Sequence, residues 1–243
     1  MSSNKKILVL PGDGIGTEVM SEVLNIMEWM SKNKSVSFDV SERLVGGAAF
    51  DREGNSISDA TMQEALDSDA VLLGAVGGPQ WDSVERDKRP EAALLRLRKE
   101  MDLFANLRPA IVFDALANSS SLKAELIKGL NILILRELTS GVYYGLPRGV
   151  EKIKGQEEKA IDTQSYTTSE IERIGKVGFD LAKKRSNKVT SVEKANVMET
   201  GMFWRKIITS LHKREFNDVE LNHMYADNCA MQLVCYPKQF DVI

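Results

Sequence analysis

The chain has 243 residues, of which 43% are hydrophobic, enough to bury a substantial core in one large domain or two modest ones. Charged residues make up 28% and the formal net charge is only −3, which argues against the basic surface a nucleic-acid binder needs to neutralise phosphates but leaves open a small anionic substrate held by a few local arginines. No apolar run approaches the ~20 residues that span a bilayer, the polar start Met1 to Lys6 lacks the apolar core of a signal peptide, and Cys229 and Cys235 match no zinc or redox spacing, so the expectation is a cytoplasmic protein with two reduced, semi-buried thiols.

In chain order, Lys6 to Leu10 reads as a buried strand that ends in the turn Pro11-Gly12-Asp13-Gly14. Thr17 to Lys32 carries Val19, Val23, Ile26, Met27 and Met30 at helical spacing. Alternation of Val36, Phe38 and Val40 predicts a strand within 36–45, Ser58 caps a helix through Ala65, and Ala70 to Val76 is another buried strand. Strands alternating with helices predict an α/β domain with a largely parallel sheet. Beyond it, Arg89 to Glu100 reads as helix, and Phe104 to Phe113 and Asn131 to Leu138 as strands. Leu146 to Asp162, polar and glycine-bearing, reads as a projecting arm or loop. Thr168 to Arg185 is an amphipathic helix capped by Thr168 or Ser169, with Glu172 near its positive end. Lys188 to Glu193 is a strand, and Gly201 to Lys213 a helix with Trp204, Ile207, Ile208 and Leu211 on its apolar side. Val219 to Ala226 is a strand and Asp227 to Val234 a helix. Phe240 to Ile243 reads as the opening of another buried strand; truncation is the simplest explanation for a stop there, and a short terminal edge strand is the alternative.

Residues able to do chemistry are scattered through this pattern. Gly12-Asp13-Gly14-Ile15-Gly16-Thr17 nearly matches the dinucleotide fingerprint, but Thr17 stands where the third glycine would be, so a tight glycine turn is the better reading. Arg98 lies late in a helix, while Arg108 and Arg136 lie in apolar strands, where a guanidinium is costly unless paired. The three could clamp a dicarboxylate or tricarboxylate through forked hydrogen bonds, or pair structurally with Glu100, Asp102 or Glu137. Tyr143 and Lys194 suit acid–base work if Lys194 is buried; a packed tyrosine and a solvated lysine are the alternatives. Asp227 could cap the last helix or bind a hard cation.

Taken together, LPGDGIGTEV (10–19), GAVGGPQWD (74–82), RPEAALLRLRKEMDLFANLRPA (89–110), RELTSGVYYGLPRG (136–149), EKANVMETGMFWR (193–205) and YADNCAMQLV (225–234) follow one another at compatible spacings. That series resembles the 3-isopropylmalate dehydrogenase family, within the β-decarboxylating dehydrogenases that include isocitrate dehydrogenase, and the resemblance covers essentially the whole chain. It implies a non-Rossmann α/β fold of two domains, incomplete at the C-terminus, with 1–103 the start of a first, cofactor-side domain and 104–243 a second domain carrying a dimerisation arm. It further implies NAD, Mg2+ or Mn2+, 3-isopropylmalate as substrate, and a homodimer with shared active sites. By resemblance Arg98, Arg108 and Arg136 bind substrate carboxylates; Asp227 binds metal and substrate across the dimer interface; Tyr143 and Lys194 are the catalytic pair, Lys194 reaching the partner's site. Asn196, Glu91 and the loop Gly77, Gly78, Pro79, Gln80, Trp81 contact the nicotinamide half of NAD, and Leu94 and Leu95 line the isopropyl pocket. A sister dehydrogenase for malate, tartrate or homoisocitrate, or a non-catalytic dimerisation module, is the rival reading.

This sequence departs from the family pattern at one place. Family chains continue past the position of Ile243 with an N-x-F-G-D motif, a second aspartate that completes the metal site, and a loop for adenine and its ribose. Without these, Asp227 alone cannot hold an ion that wants about six oxygen ligands. The chain by itself is therefore expected to be inactive and poorly stable.

Overall fold

A computed structural model describes residues 4–243; Met1 to Ser3, at the polar start, lie outside the described residues. The chain divides into two compact units, Met1–Leu103 and Phe104–Ile243.

The first unit is built on a parallel sheet of order β2-β1-β3, with β1 Asn4–Gly12, β2 Ser37–Glu42 and β3 Ala70–Ala75. Central β1 is buried on both sides, as parallel strands are when helices cover each face. Its alternating residues seed two cores. Ile7 and Val9 pack with Met20 and Met27 of α1 (Ile15–Asn33), while Leu8 and Leu10 pack with Met62 and Ala65 of α3 (Asp59–Leu66) and Ala93 and Leu97 of α4 (Pro90–Glu100). Ser58 caps α3, its side chain accepting from the Thr61 amide. A seven-residue helix, α2 (Gly47–Glu53), was not expected, because GAAFDRE is too short for a helical period to show.

The second unit pairs β4 (Ala105–Ile111) antiparallel with β5 (Asn131–Glu137), and β8 (Lys188–Glu193) parallel with β9 (Glu220–Tyr225). The segment around Val242 joins the two pairs. It bridges Leu133 of β5 and Val189 of β8, both in parallel sense. Leu133 N–H donates to Asp241 C=O at 2.8 Å and Thr190 N–H to Val242 C=O at 2.8 Å. The expected strand at Phe240 to Ile243 is thus a short central bridge, not an edge. Asp241 anchors it by accepting from Arg185 Nε at 2.8 Å and the Ser186 amide at 2.9 Å. One sheet face carries α6 (Thr168–Lys183) and α7 (Glu199–Glu215), with Ile171, Phe179, Ile208 and Leu211 in the core; the other carries Ile132 and Cys229, the latter on α8 (Ala226–Cys235).

Two local expectations are corrected and one is sharpened. The arm over 146–162 is an antiparallel hairpin, β6 (Gly145–Lys154) with β7 (Glu157–Thr163), with register shifts between Gly145 and Arg148 and between Lys152 and Lys154. The cap of α6 is Thr167, not Thr168 or Ser169: its hydroxyl accepts from the Glu170 amide, and Glu170, rather than Glu172, returns a bond to the Thr167 amide in a capping box. Asp227 is not a cap, since Tyr225 holds that position and Asp227 lies in the first turn of α8. Of the two free thiols, Cys229 is buried and Cys235 exposed, and burial pushes the Cys229 thiol up.

Candidate active site

In the first unit, the glycine loop after β1 is organised around its own carboxylate. Asp13 is buried and accepts three backbone N–H groups, from Gly47, Ala48 and Gly77, each at 2.8 Å. The glycines allow close backbone packing: a Cβ on Gly12 would stand 1.9 Å from the Ala75 carbonyl oxygen, and one on Gly16 2.2 Å from that of Pro11. The loop's anion is therefore internal, which agrees with a glycine turn rather than a phosphate cradle. Asp13 also fixes the start of the Gly77–Trp81 segment, whose Pro79–Trp81 stretch is a 3-10 turn. Trp81 is buried, with its ring against Gly47 and its indole N–H donating to Asp51 at 3.0 Å, so its side chain acts in packing. Gly77, Gly78, Pro79 and Gln80 stay partly or fully exposed.

Helix α4 has two faces. Pro90, Ala93 and Leu97 are buried in the core. Glu91, Leu94, Leu95 and Arg98, spaced three and four apart, share a flanking face; Glu91 is exposed and the other three are half-buried. The Glu91 carboxylate lies beside Gly77, 3.0 Å from where a Cβ would be.

In the second unit, register decides which side chains meet. Asn106 pairs with Arg136 across β4 and β5, so Arg136, Asn106 and Arg108, two residues on, project from the same sheet face. Arg108 is exposed and its Nε donates to Asn106 Oδ1 at 2.6 Å. Arg136 is half-buried, its guanidinium 5.2 Å from the centre of the Tyr143 ring. The suggested structural pair between Arg136 and Glu137 does not form: neighbours on a strand face opposite ways, and Glu137 pairs instead with Arg173 at 3.5 Å. A cavity of about 540 Å³ opens here, lined by Arg136, Tyr143, Tyr166, Lys194 and Trp204 among others. Burial first, then the Glu137 charge, pushes the Tyr166 phenol up, while Arg136 opposes them.

Lys194 and Asp227 are 33 positions apart. They meet because β8 and β9 run parallel with Glu193 opposite Tyr225, which brings both chain exits to one end of the sheet. Lys194 Nζ donates to Asp227 Oδ1 at 2.6 Å. The lysine is not buried as a simple general base would require; its side chain is 31% exposed, and that of Asp227 is 68% exposed. The Lys194 hydrogen bond, aided by backbone amides of the helix turn, holds the Asp227 carboxyl below the usual aspartate range. Asn196 is exposed just beyond Lys194. No group of three or more His, Cys, Asp or Glu able to hold a metal occurs among the described residues, so Asp227, already engaged by Lys194, does not make a metal site from this chain's residues alone.

Sequence reasoning missed Asp13, Glu137 and Glu193. The buried Glu193 carboxylate accepts from Arg205 Nε at 2.6 Å, directly before Lys194. The Thr139-Ser140 donors after Glu137 were a usable local signal; the distant donors of Asp13 were not.

The sequence pattern described as isocitrate/isopropylmalate dehydrogenase matches residues 6–243. The chain is 58% identical over 239 residues to the 3-isopropylmalate dehydrogenase of Pelagibacter ubique (strain HTCC1062), covering 98% of this chain and 65% of that protein. It is 55% identical over 243 residues to that of Gluconobacter oxydans (strain 621H), covering 100% of this chain and 66% of that protein. Among solved structures, isocitrate dehydrogenase from Methylococcus capsulatus superposes with a TM-score of 0.77 at 30% identity, covering 98% of this chain and 65% of that one. The chain thus spans about 65% of the length of the first of these curated relatives. It belongs to the isocitrate/isopropylmalate dehydrogenase family.

Proposed function

We propose that these residues serve a 3-isopropylmalate dehydrogenase, which oxidises 3-isopropylmalate with NAD and decarboxylates it to 2-oxoisocaproate in leucine biosynthesis. The observation that carries this reading is the cavity of the second unit, where Arg136, Tyr143 and Lys194 line one space of about 540 Å³. Arg108 and Arg136, on one sheet face, bind carboxylate through forked hydrogen bonds. Lys194 takes the hydroxyl proton as the neutral amine, after parting from Asp227 and giving its own proton to solvent, and the Tyr143 phenol returns a proton to carbon. On the first unit, the α4 face suits Arg98 to a carboxylate and Leu94 and Leu95 to an alkyl group. Two leucines there leave a third carboxylate unpaired, which favours isopropylmalate over isocitrate.

NAD supplies the hydride acceptor when bound. Glu91 and the polar, accessible turn from Gly77 to Gln80 suit its nicotinamide half, with Trp81 packed against that turn, and on the second unit exposed Asn196 suits a polar contact. Mg2+ or Mn2+ would need oxygen ligands beyond Asp227. A homodimer is supported by apolar residues left exposed on the hairpin, Val150 and Ile153, and on α7 and α8, Met202, Met231 and Val234. Two free thiols accord with a cytoplasmic setting, and no helix among the described residues is long and apolar enough to cross a membrane.

The test is a pair of proteins: this chain, and this chain joined to the C-terminal portion of the Pelagibacter ubique relative. With NAD, Mn2+ and isopropylmalate, the joined protein should form NADH, and Tyr143→Phe and Arg136→Ala should abolish turnover. Faster turnover of isocitrate would overturn the substrate assignment. A dimer without turnover in the joined protein would favour a dimerisation module.

A further inference from the structure

Glu137 sits next to Arg136 yet faces the other way, and nothing assigned above uses it. Its side chain is 2% exposed. Its carboxylate accepts from the Thr139 amide at 3.1 Å and hydroxyl at 3.0 Å, and from the Ser140 amide at 3.0 Å and hydroxyl at 2.8 Å. Arg173 stands 3.5 Å from Glu137, bonds the Thr139 hydroxyl at 2.6 Å and lies over the Phe104 ring at 4.5 Å. A carboxylate offers about four acceptor sites, so these donors saturate it. A saturated, charge-paired carboxylate has no lone pair to offer a substrate proton, which excludes a direct part in acid–base chemistry.

What it does instead follows from where its donors lead. Thr139 and Ser140 run directly into Gly141–Tyr143, a single 3-10 turn. Gly141 has φ +78°, donates its N–H to the Ser165 carbonyl at 3.0 Å, and has no room for a Cβ, which would stand 2.4 Å from the Tyr166 hydroxyl. Beyond the turn, the Arg148 guanidinium donates to the Tyr143 carbonyl. The backbone carrying Tyr143 is gripped on both sides, while the residue is 46% exposed and its ring meets Arg136 at 5.2 Å. Arg136 and Glu137 are consecutive on a rigid strand, so fixing the Thr139-Ser140 turn to Glu137 also fixes the offset between the Tyr143 phenol and the Arg136 guanidinium.

We propose that Glu137 is a positioning residue: its buried carboxylate locks the Thr139-Ser140 turn so that Tyr143 is held against Arg136 in the geometry for proton delivery. The catalytic part of this inference rests on reading Tyr143 as the proton donor; the geometric part does not. The chain labelled with tyrosine 13Cζ tests the geometric part, with Tyr143→Phe assigning its resonance. In Glu137→Gln the Tyr143 resonance should shift or broaden while those of Tyr225 and Tyr236 hold still, and Glu137→Asp should lie between Glu137→Gln and the unsubstituted chain. Should Glu137→Gln fail to fold, Thr139→Val, which removes the hydroxyl shared by Glu137 and Arg173, gives the same readout. An unmoved Tyr143 resonance in a folded variant overturns the proposal. In the joined protein, Glu137→Gln should lower kcat at least tenfold with KM for isopropylmalate within twofold; a changed KM at unchanged kcat overturns the catalytic part. A moved resonance without any turnover in the unsubstituted joined protein leaves the positioning role standing and rejects the enzymatic reading instead.

Discussion

The two units each place an aspartate near the C-terminal ends of parallel strands, and the two acids are put to opposite uses. Asp13, after β1, is buried and receives only backbone N–H groups, three of them at 2.8 Å. Asp227, after β9, has a side chain 68% exposed and pairs with Lys194 at 2.6 Å. Backbone donors in a buried place cannot leave without unfolding the loops that carry them, so Asp13 is architecture. A lysine on a four-carbon stem can swing away into water, so Asp227 can exchange its partner for a substrate or ion. Burial and donor type, not the identity of the acid, separate a scaffold carboxylate from one available for chemistry.

The largest effect expected from this contrast is on Asp13. Asp13→Ala strands three N–H donors, one buried and two part-buried, and should cost about 3–5 kcal/mol of stability, since each unsatisfied buried group costs roughly 1–3. Urea unfolding measures the loss, and amide exchange should show Gly47, Ala48 and Gly77 losing protection before the second unit does. Asp227→Ala should leave the urea midpoint nearly unchanged. Equal shifts in the two variants would break the comparison.

Glu170 separates the two variables, because it takes a backbone donor at the surface. Its carboxylate accepts the Thr167 amide at 2.7 Å in the capping box of α6. Water can replace it there, so Glu170→Ala should cost only about 0.5–1 kcal/mol, the worth of an exposed acid at a helix N-terminus. A loss as large as that of Asp13→Ala would mean that donor type alone sets the scale, without burial.

How much of this was legible in the sequence follows the same division between local and distant partners. The continuous apolar run from Ile7 to Leu10 marked β1 as a buried strand, and Ser58 marked the start of α3, because those signals lie within a few residues of their effect. Tyr143, Lys194 and Asp227 stood out by chemistry and by resemblance to a family. Their mutual geometry did not, because Lys194 meets Asp227 only through the register of β8 on β9, and Arg108 joins Arg136 on one face only through that of β4 on β5. The donors of Asp13 lie 34 to 64 positions away, so within its glycine loop it looked like a turn residue. The segment around Val242 reads as the opening of a strand and forms only an isolated bridge, and its place between β5 and β8 depends on two partners that no local pattern names.

The smallest effect concerns pH and tests whether the Lys194–Asp227 contact behaves as an exposed pair. Lys194 holds the folded-state pKa of Asp227 below its ordinary value. For a carboxyl depressed on folding, the stabilisation is fully present above the unfolded pKa and fades as pH falls through the folded one. Carboxyl 13C titration should therefore show Asp227 retaining its charge below the usual aspartate range, and Lys194→Met should return it most of the way to that range; the remaining depression belongs to the backbone amides at the start of α8. Because both side chains reach solvent, molar salt should shrink the Lys194 share while leaving the amide share, since screening acts on exposed charges far more than on short, fixed hydrogen bonds. An Asp227 that titrates normally in the unsubstituted chain would mean that the ammonium spends little time on it in solution. The Lys194 ammonium would then already stand free of Asp227, and the contrast with Asp13 would become one between a saturated acid and a merely hydrated one.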